Sequence, residues 1–407
     1  MRISSTQYFN MNVATMSDQQ AQLSQLYAEI SSGVSLSTPS DNPLGAAQAV
    51  QLSSTATTLA QYTSNQGTAL ASLQQEDSTL GSVNTVLQSI HTLVLRAGNG
   101  SLNDGDRGAI ATQLQGLRSQ LMTLANSTDP QGNFLFAGYQ STSQPYTTNA
   151  AGAVTYSGDT GTQAVQVTDS RTIQTGDNGL AIFGSVAAVG TSSVPAGAAG
   201  NTGTGVVSSV SLNNPTDPTN ADTFKIAFSS STTYTISQTN PATGAVTTSG
   251  PQAFTAGSAI TLGGQSVSIS GAPNAGDSFS VTPATQGTMD VFTNLNQLIS
   301  TLQTPVSGSA STASFQSALT TGMTQLENTM NNVVTAQAAV GGREQEVQAL
   351  QTVTQTNTLQ TASNLSDLTQ TDMVKTIGKY TMTQAALQAA QQAFAKIQNI
   401  SLFQYLN

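Results

Sequence analysis

The amino-acid sequence predicts an α+β protein, elongated, in which N- and C-terminal helices pair as a coiled coil and helical bundle around an inserted antiparallel β domain. Three observations carry this. Apolar residues recur every seven positions toward both ends of the chain. In the middle the apolar period falls to two. Gly, Pro and Asn punctuate the middle segment as turns require.

Taken in order, Leu23, Leu26 and Ile30 mark an amphipathic helix that stops at Ser31-Ser32-Gly33, where glycine can take the left-handed conformation. Residues 37–43 read as a loop, with Ser40 or Asp41 as the N-cap of the next helix. In that helix Leu52, Leu59, Gln66, Leu73, Leu80, Leu87 and Val94 are spaced by seven, and Tyr62, Ala69, Val83, Ile90 and Ala97 fall three places after members of the series. Gln66 is the one polar lapse. The seam ends near Gly98, and an antiparallel partner helix follows Asn103 to Asp106 with Ile110, Leu114, Leu117, Leu121 and Leu124. Asp129-Pro130-Gln131-Gly132 is a turn signal.

From Ser141 to Thr285 short alternating runs predict strands: Phe224, Ile226 and Phe228; Tyr234 and Ile236; Val267 and Ile269; Phe279 and Val281. Helical spacing returns at Phe292, Leu295, Leu298 and Leu302 and breaks at Pro305 to Gly308. It continues through Leu319, Leu326, Val333, Val340 and Val347, with Thr354 and Thr361 weakening the register before Leu368. Met373, Tyr380, Leu387 and Phe394 form a last series, and Ala385, Ala386, Ala389, Ala390 and Ala393 beside it would allow close helix approach.

Composition narrows the chemistry. The chain has 407 residues, no Cys, no Trp, one His and 7% charged residues, against about 25% in ordinary soluble domains. Without thiols, and with His91 as the sole imidazole, disulfide frameworks, thiolate nucleophiles and His-paired metal sites are excluded within one chain. A formal net charge of -10 opposes a phosphate-binding surface. The longest near-continuous apolar stretch, Leu180 to Val189, is half of the roughly 20 residues needed to cross a bilayer. The N-terminus shows no Sec-type signal core. So little charge means weak repulsion between copies, which suits packing against many identical neighbours.

His91 reads as a partly exposed helix-face residue rather than a general base. Asn99 to Asp106 lacks the ordered acidic spacing of a calcium loop and reads as a turn followed by a helix cap. Lys375, Lys379 and Lys396 are three of the four lysines. Either a helix C-terminal half that prefers cations or a fit to acidic neighbouring subunits would explain them. Residues 1–45 and 365–407 present apolar stripes with too little adjoining sequence to cover them, so they are expected to order by burial against equivalent helices of other subunits.

Further motifs carry a resemblance. Ile30-Ser31-Ser32-Gly33 with Pro39-Ser40-Asp41-Asn42-Pro43-Leu44-Gly45-Ala46-Ala47 is similar to the N-terminal signature of the flagellin superfamily, in which Asp-Asp-Pro is commoner than Asp41-Asn42-Pro43. Phe134-Leu135-Phe136-Ala137-Gly138-Tyr139 resembles a motif of the hook-filament junction proteins within that superfamily, one that filament subunits lack. Val340-Gly341-Gly342-Arg343 resembles the family's Val-Gly-Ala-Arg turn of the returning helix, and Ser401 to Leu406 its C-terminal ending. Ser89-Ile90-His91-Thr92 departs from the Arg-x-Arg-Glu run of flagellins that innate immune receptors recognise.

The resemblance implies a structural adaptor, with no catalysis and no cofactor or metal, that joins the flagellar hook to the filament. Its implied partners are hook-associated protein 1, flagellin, identical copies in a ring, and an export chaperone before type III secretion to the cell exterior. Nucleic acid and membrane are not expected partners. Flagellin itself is the alternative, and an extracellular adhesin working through its β domain a third. The expected division is 1–45 with 365–407 as a terminal assembly domain, 46–140 with 286–364 as a helical bundle, and 141–285 as an outward β domain. The expected interface residues are Leu23, Leu26, Ile30, Met373, Tyr380, Leu387 and Phe394. The motif residues are Ser40, Asp41, Pro43, Phe134, Phe136 and Gly138.

Overall fold

The computed structural model describes residues 5–36, 38–40, 42–149, 152–186, 190–287 and 290–405, with the backbone alone for 5, 6, 8 and 397–405. The chain forms two compact units: Met1–Ser64 with Gln351–Asn407, and Asn65–Leu350. Helices α2 (Pro43–Ala97) and α5 (Ser309–Thr369) contribute to both.

In the first unit, α1 (Ser5–Ser32) pairs with α6 (Met373–Tyr405). The pair is antiparallel. Phe9 and Phe394 meet at 5.2 Å; at the other end Ser35 N–H donates to the Thr369 carbonyl and Thr371 N–H to that of Gly33. As expected, α1 stops at Gly33, whose φ is 71°. α6 opens on Asp372, whose carboxylate accepts the Lys375 N–H at 3.0 Å.

The cap of α2 differs from the expectation. Asn42 Oδ1 accepts the Gly45 N–H at 2.9 Å, while Ser40 Oγ bonds Thr38 Oγ1 at 2.6 Å and Asp41 lies outside the described residues. Pro43 explains the shift. As the first helical residue it supplies a fixed φ and no N–H, leaving the residue just before it as the cap.

In the second unit the heptad seams form the core. Ala69, Leu73, Leu80, Leu87, Ile90 and Val94 of α2 are buried with Leu326, Val333, Val340 and Val347 of α5. They are joined by Ile110, Leu114 and Leu121 of α3 (Asp104–Ala125) and Phe292, Leu295 and Leu298 of α4 (Val291–Gln303). α3 begins with a capping box in which Asn103 and Asp106 exchange side-chain to backbone hydrogen bonds. This is the expected turn and cap. α4 and α5 are separated at the expected break.

The middle segment serves two cores. Hairpins β1–β2 (Tyr146–Thr148, Val154–Tyr156) and β3–β4 (Ala164–Thr168, Arg171–Gln174), with a short π-turn at Leu180–Gly184, deliver Tyr146, Val167, Ile173, Ile182 and Phe183 to the helical core. The remaining strands form two antiparallel sheets over a separate core. One has the order β10-β9-β8-β14-β5 with β11 also on β9, comprising β5 (Val194–Gly197), β8 (Thr223–Ser230), β9 (Thr233–Thr239), β10 (Val246–Thr248), β11 (Gln252–Ala253) and β14 (Ser278–Thr282). The other has the order β12-β13-β6 with β7 also on β13, comprising β6 (Val206–Val207), β7 (Ser211–Leu212), β12 (Ala259–Leu262) and β13 (Gln265–Ser270). The alternating residues singled out in the sequence fill this core: Phe224, Ile226, Phe228, Tyr234, Val267, Ile269, Phe279 and Val281 are buried and Ile236 packs against them.

Candidate functional site

The α1–α6 pair shares one narrow seam. Half-buried positions in α1 run Asn12, Met16, Gln19, Leu23, Leu26, Ile30, with Glu29 half-buried beside the last. In α6 they run Thr376 (buried), Tyr380, Thr383, Leu387, Ala390, Phe394. Both series alternate steps of three and four, as a two-helix coiled coil requires. Six of the seven residues expected at an interface with other subunits therefore face the seam within the chain. Met373 stands 41% exposed at the start of α6. Of the alanines, Ala390 lies in the seam and Ala385, Ala386, Ala389 and Ala393 are exposed.

Packing differs sharply between the units. Among the described residues no apolar side chain of 1–64 or 351–407 is buried; the buried positions there are Gly45, Thr354, Thr361 and Thr376. Of the nineteen large apolar side chains exposed among the described residues, thirteen belong to this unit, among them Met11, Tyr27, Leu44, Val50, Leu359, Val374 and Met382. A hydrophobic side chain gives about 1.5–3 kcal/mol on full burial, so this unit holds much unused driving force for association.

Beside the seam, Lys375, Lys379, Met382, Ala386, Ala389, Ala393 and Lys396 follow in steps of four and three along one exposed stripe of α6. Lys375 lies in the first turn, where the helix dipole disfavours cations, and Lys379 in the second. The last turn of α6 holds no basic residue, so the C-terminal preference accounts for none of the three. Among the described residues no carboxylate lies within ion-pair distance of the three lysines.

The Phe134 to Tyr139 motif is a packing knot. Phe136 is fully buried, its ring 5.5 Å from Phe183 edge to face, and Tyr146 bridges Phe183 and Phe292 at 5.7 and 5.2 Å. The Phe136 carbonyl accepts from Tyr156 Oη and the Gly179 N–H. Phe134 is half-buried and its N–H donates to the Ser141 carbonyl. Gly138 has a φ of 69°, and a Cβ there would meet the Asp159 carboxylate. That carboxylate in turn accepts the N–H groups of Tyr139 and Gly161.

Two polar seam positions have partners that sequence reasoning missed. Gln66 Nε2 donates to the Val167 carbonyl at 2.8 Å, and neighbouring Asn65 donates to that of Gln166. The lapse in the heptad is therefore a hydrogen-bonding station for β3. Glu76, 2% exposed, accepts the Asp177 N–H at 3.0 Å while Arg343 pairs with Asp177 at 2.5 Å. Burial, reinforced by the Asp177 charge, pushes the Glu76 carboxyl up to about 8. The signal for both was a polar residue on an apolar seam.

His91 is partly exposed on α2, its Nε2 3.6 Å from Glu327 Oε1. Among the described residues no helix is long and apolar enough to cross a membrane. The Ser401 to Leu406 ending lies outside the residues whose side chains are described.

The pattern of the bacterial flagellin N-terminal helical region matches residues 3–141. Flagellar hook-associated protein 3 of Salmonella typhimurium is 28% identical over 405 residues, 99% of each chain, as is that of Escherichia coli. The crystal structure of flagellar hook-associated protein-3 from Legionella pneumophila superimposes with a TM-score of 0.69 at 25% identity, covering 78% of this chain and 98% of that one.

Proposed function

From a chain homologous along its whole length to flagellar hook-associated protein 3, we propose the structural adaptor of the bacterial flagellum that joins hook to filament and is needed for filament attachment and motility. The observation that carries the mechanism is the contrast in packing: the terminal unit buries no apolar side chain among its described residues and exposes thirteen large ones. Such a surface is satisfied only against other subunits.

In this reading residues 1–45 and 365–407 form the assembly domain. Residues 46–140 with 286–364 make a stable bundle, joined by the hairpins within 146–174, and the two sheets between 194 and 282 make the outward part of the β domain expected over 141–285. Copies of the chain form a ring between hook-associated protein 1 and the first flagellin subunits. Leu23, Leu26, Ile30, Tyr380, Leu387 and Phe394 hold α1 to α6, and the exposed apolar side chains around that seam take up the neighbours. The lysine stripe fits acidic faces of those neighbours, an account favoured by the absence of any basic residue from the last turn of α6 and by Lys375 in its first. The adaptor works without catalysis or cofactor. Secretion to the cell exterior by the flagellar type III route, with a chaperone over Met373 to Phe394 beforehand, completes the scheme.

Complementation tests it. In a motile bacterium lacking its own hook-associated protein 3, the full chain is expected to restore swimming, and a chain ending at residue 364 is expected to fail and to lose capture by the chaperone. Restoration of swimming by the truncated chain would contradict the assembly role of α6; retained chaperone affinity would contradict the proposed chaperone site.

A further inference from the structure

The sequence holds two Asn-Gly pairs, Asn99-Gly100 and Asn178-Gly179. In such a pair the peptide nitrogen of the glycine, with no Cβ beside it, can reach the carbonyl carbon of the asparagine side chain. The fold treats the two pairs oppositely. Asn99, Gly100 and Ser101 are exposed in the corner between α2 and α3, whereas Asn178 is 8% exposed within the 65–350 unit.

At Asn178 each reacting group is engaged. Nδ2 donates to the Thr160 carbonyl at 3.2 Å, Oδ1 accepts the Ala181 N–H at 2.9 Å, and the Gly179 N–H donates to the Phe136 carbonyl at 2.8 Å. The rings of Tyr146 and Tyr156 close over Gly179 so tightly that a Cβ there would meet them at 2.8 and 3.0 Å. At Asn99 the nucleophile is free: the Gly100 N–H has no hydrogen-bond partner among the described residues, and a Cβ on Gly100 would meet nothing within 4 Å. The electrophile is prepared as well. Asn99 Oδ1 accepts the Ser101 N–H at 3.1 Å and the Ser101 hydroxyl at 2.9 Å, an Asx turn that folds the carboxamide over the Gly100 peptide and draws electron density from its carbonyl carbon.

We propose that Asn99 is a self-modifying site of the folded chain, converting to aspartate and isoaspartate while Asn178 persists. The Gly100 nitrogen loses its proton to solvent and bonds to Asn99 Cγ; the Cγ–Nδ2 bond breaks, and the nitrogen takes a proton from solvent and leaves as ammonia, closing a succinimide. Water then opens the ring. Addition at Cγ gives aspartate, and addition at the Asn99 main-chain carbonyl carbon gives isoaspartate, with the backbone rerouted through Cγ. Either product places a negative charge just past the C-terminus of α2, where the helix dipole disfavours it. Isoaspartate also takes the Asn99 carbonyl, which accepts the Leu102 N–H at 3.1 Å, out of the main chain as a free carboxylate, so the corner ahead of the Asn103–Asp106 capping box loses its turn. This chemistry is independent of the assembly role.

The test holds the full folded chain at mildly alkaline pH and body temperature for several weeks. Peptide mapping by mass spectrometry reads the gain in mass as amide becomes acid, and labelling by an isoaspartyl methyltransferase marks the rerouted isomer. Asn99 is expected to convert at least about tenfold faster than Asn178, which reacts only from locally opened chain. In urea, where both pairs are unfolded, the two rates are expected to converge. Gly100→Ala places its methyl in open space, so it is expected to keep the parent's melting temperature while slowing conversion at Asn99 by roughly tenfold, because the Cβ hinders the peptide nitrogen. A folded chain in which Asn99 converts no faster than Asn178, a contrast that persists undiminished in urea, or a Gly100→Ala chain that converts at the parent's rate would overturn the assignment.

Discussion

At Gly138 a positive φ and a backbone against Asp159 leave no room for a Cβ. Gly138→Ala is expected to destabilise the 65–350 unit by about 2 kcal/mol or more, from left-handed strain plus the clash, read as a lower melting temperature. Glu76 makes the second residue-scale prediction. Its folded carboxyl is raised to about 8 from an ordinary value of 4.5, so the folded state holds the proton more tightly. The stability this contributes is whole below about pH 4.5 and is lost as pH rises through 8. Glu76→Gln keeps the shape and removes the titration. Its advantage in stability over the parent, read from the melting temperature, is expected to grow between pH 5 and pH 8, reaching about 1 kcal/mol or more. An advantage independent of pH would contradict this account. At this scale the sequence was legible where the cause is local, as at the Asn103–Asp106 cap and Gly33. It was not legible where the partner lies far along the chain: Asp159 beneath Gly138, Asp177 on Glu76, and Val167 on Gln66.

The helices and strands were legible because each carries its own period. The seam through Leu52 to Val94 and the alternation at Phe224, Ile226 and Phe228 belong to single elements and survive without knowledge of their neighbours. The docking of β1 to β4 on the helical core was hidden, since Tyr146, Val167 and Phe183 are scattered among polar residues and show no period. Thr354 and Thr361, which weaken the α5 register in sequence, occupy buried seam positions nonetheless. Thr361→Val replaces a seam hydroxyl with a methyl and is expected to stabilise the terminal unit by about 0.5–1 kcal/mol, measured as slower hydrogen exchange along α5 and α2. Faster exchange would show that the hydroxyl has a structural partner worth more than the methyl.

Across the whole molecule the two units are built on opposite principles. One closes its apolar surface within itself, from Leu73 to Val347 in the bundle and from Val207 to Val281 between the sheets. The other ends its chain in two helices joined by a single seam and leaves its remaining apolar surface open. That contrast was foreseeable from the stripes of 1–45 and 365–407, because two helices offer too little surface to cover them. What those stripes cover in the assembled flagellum is a property of several chains and cannot be written in one. The most direct measurement is deletion of the gene for this chain, with electron microscopy of the cell surface and an assay of flagellin in the medium. The adaptor account predicts hooks without filaments and abundant unpolymerised flagellin outside the cell, because export continues while attachment is lost. Bare hooks with no excreted flagellin would make this chain the filament subunit instead, and normal filaments in a strain with no second copy would contradict the account outright.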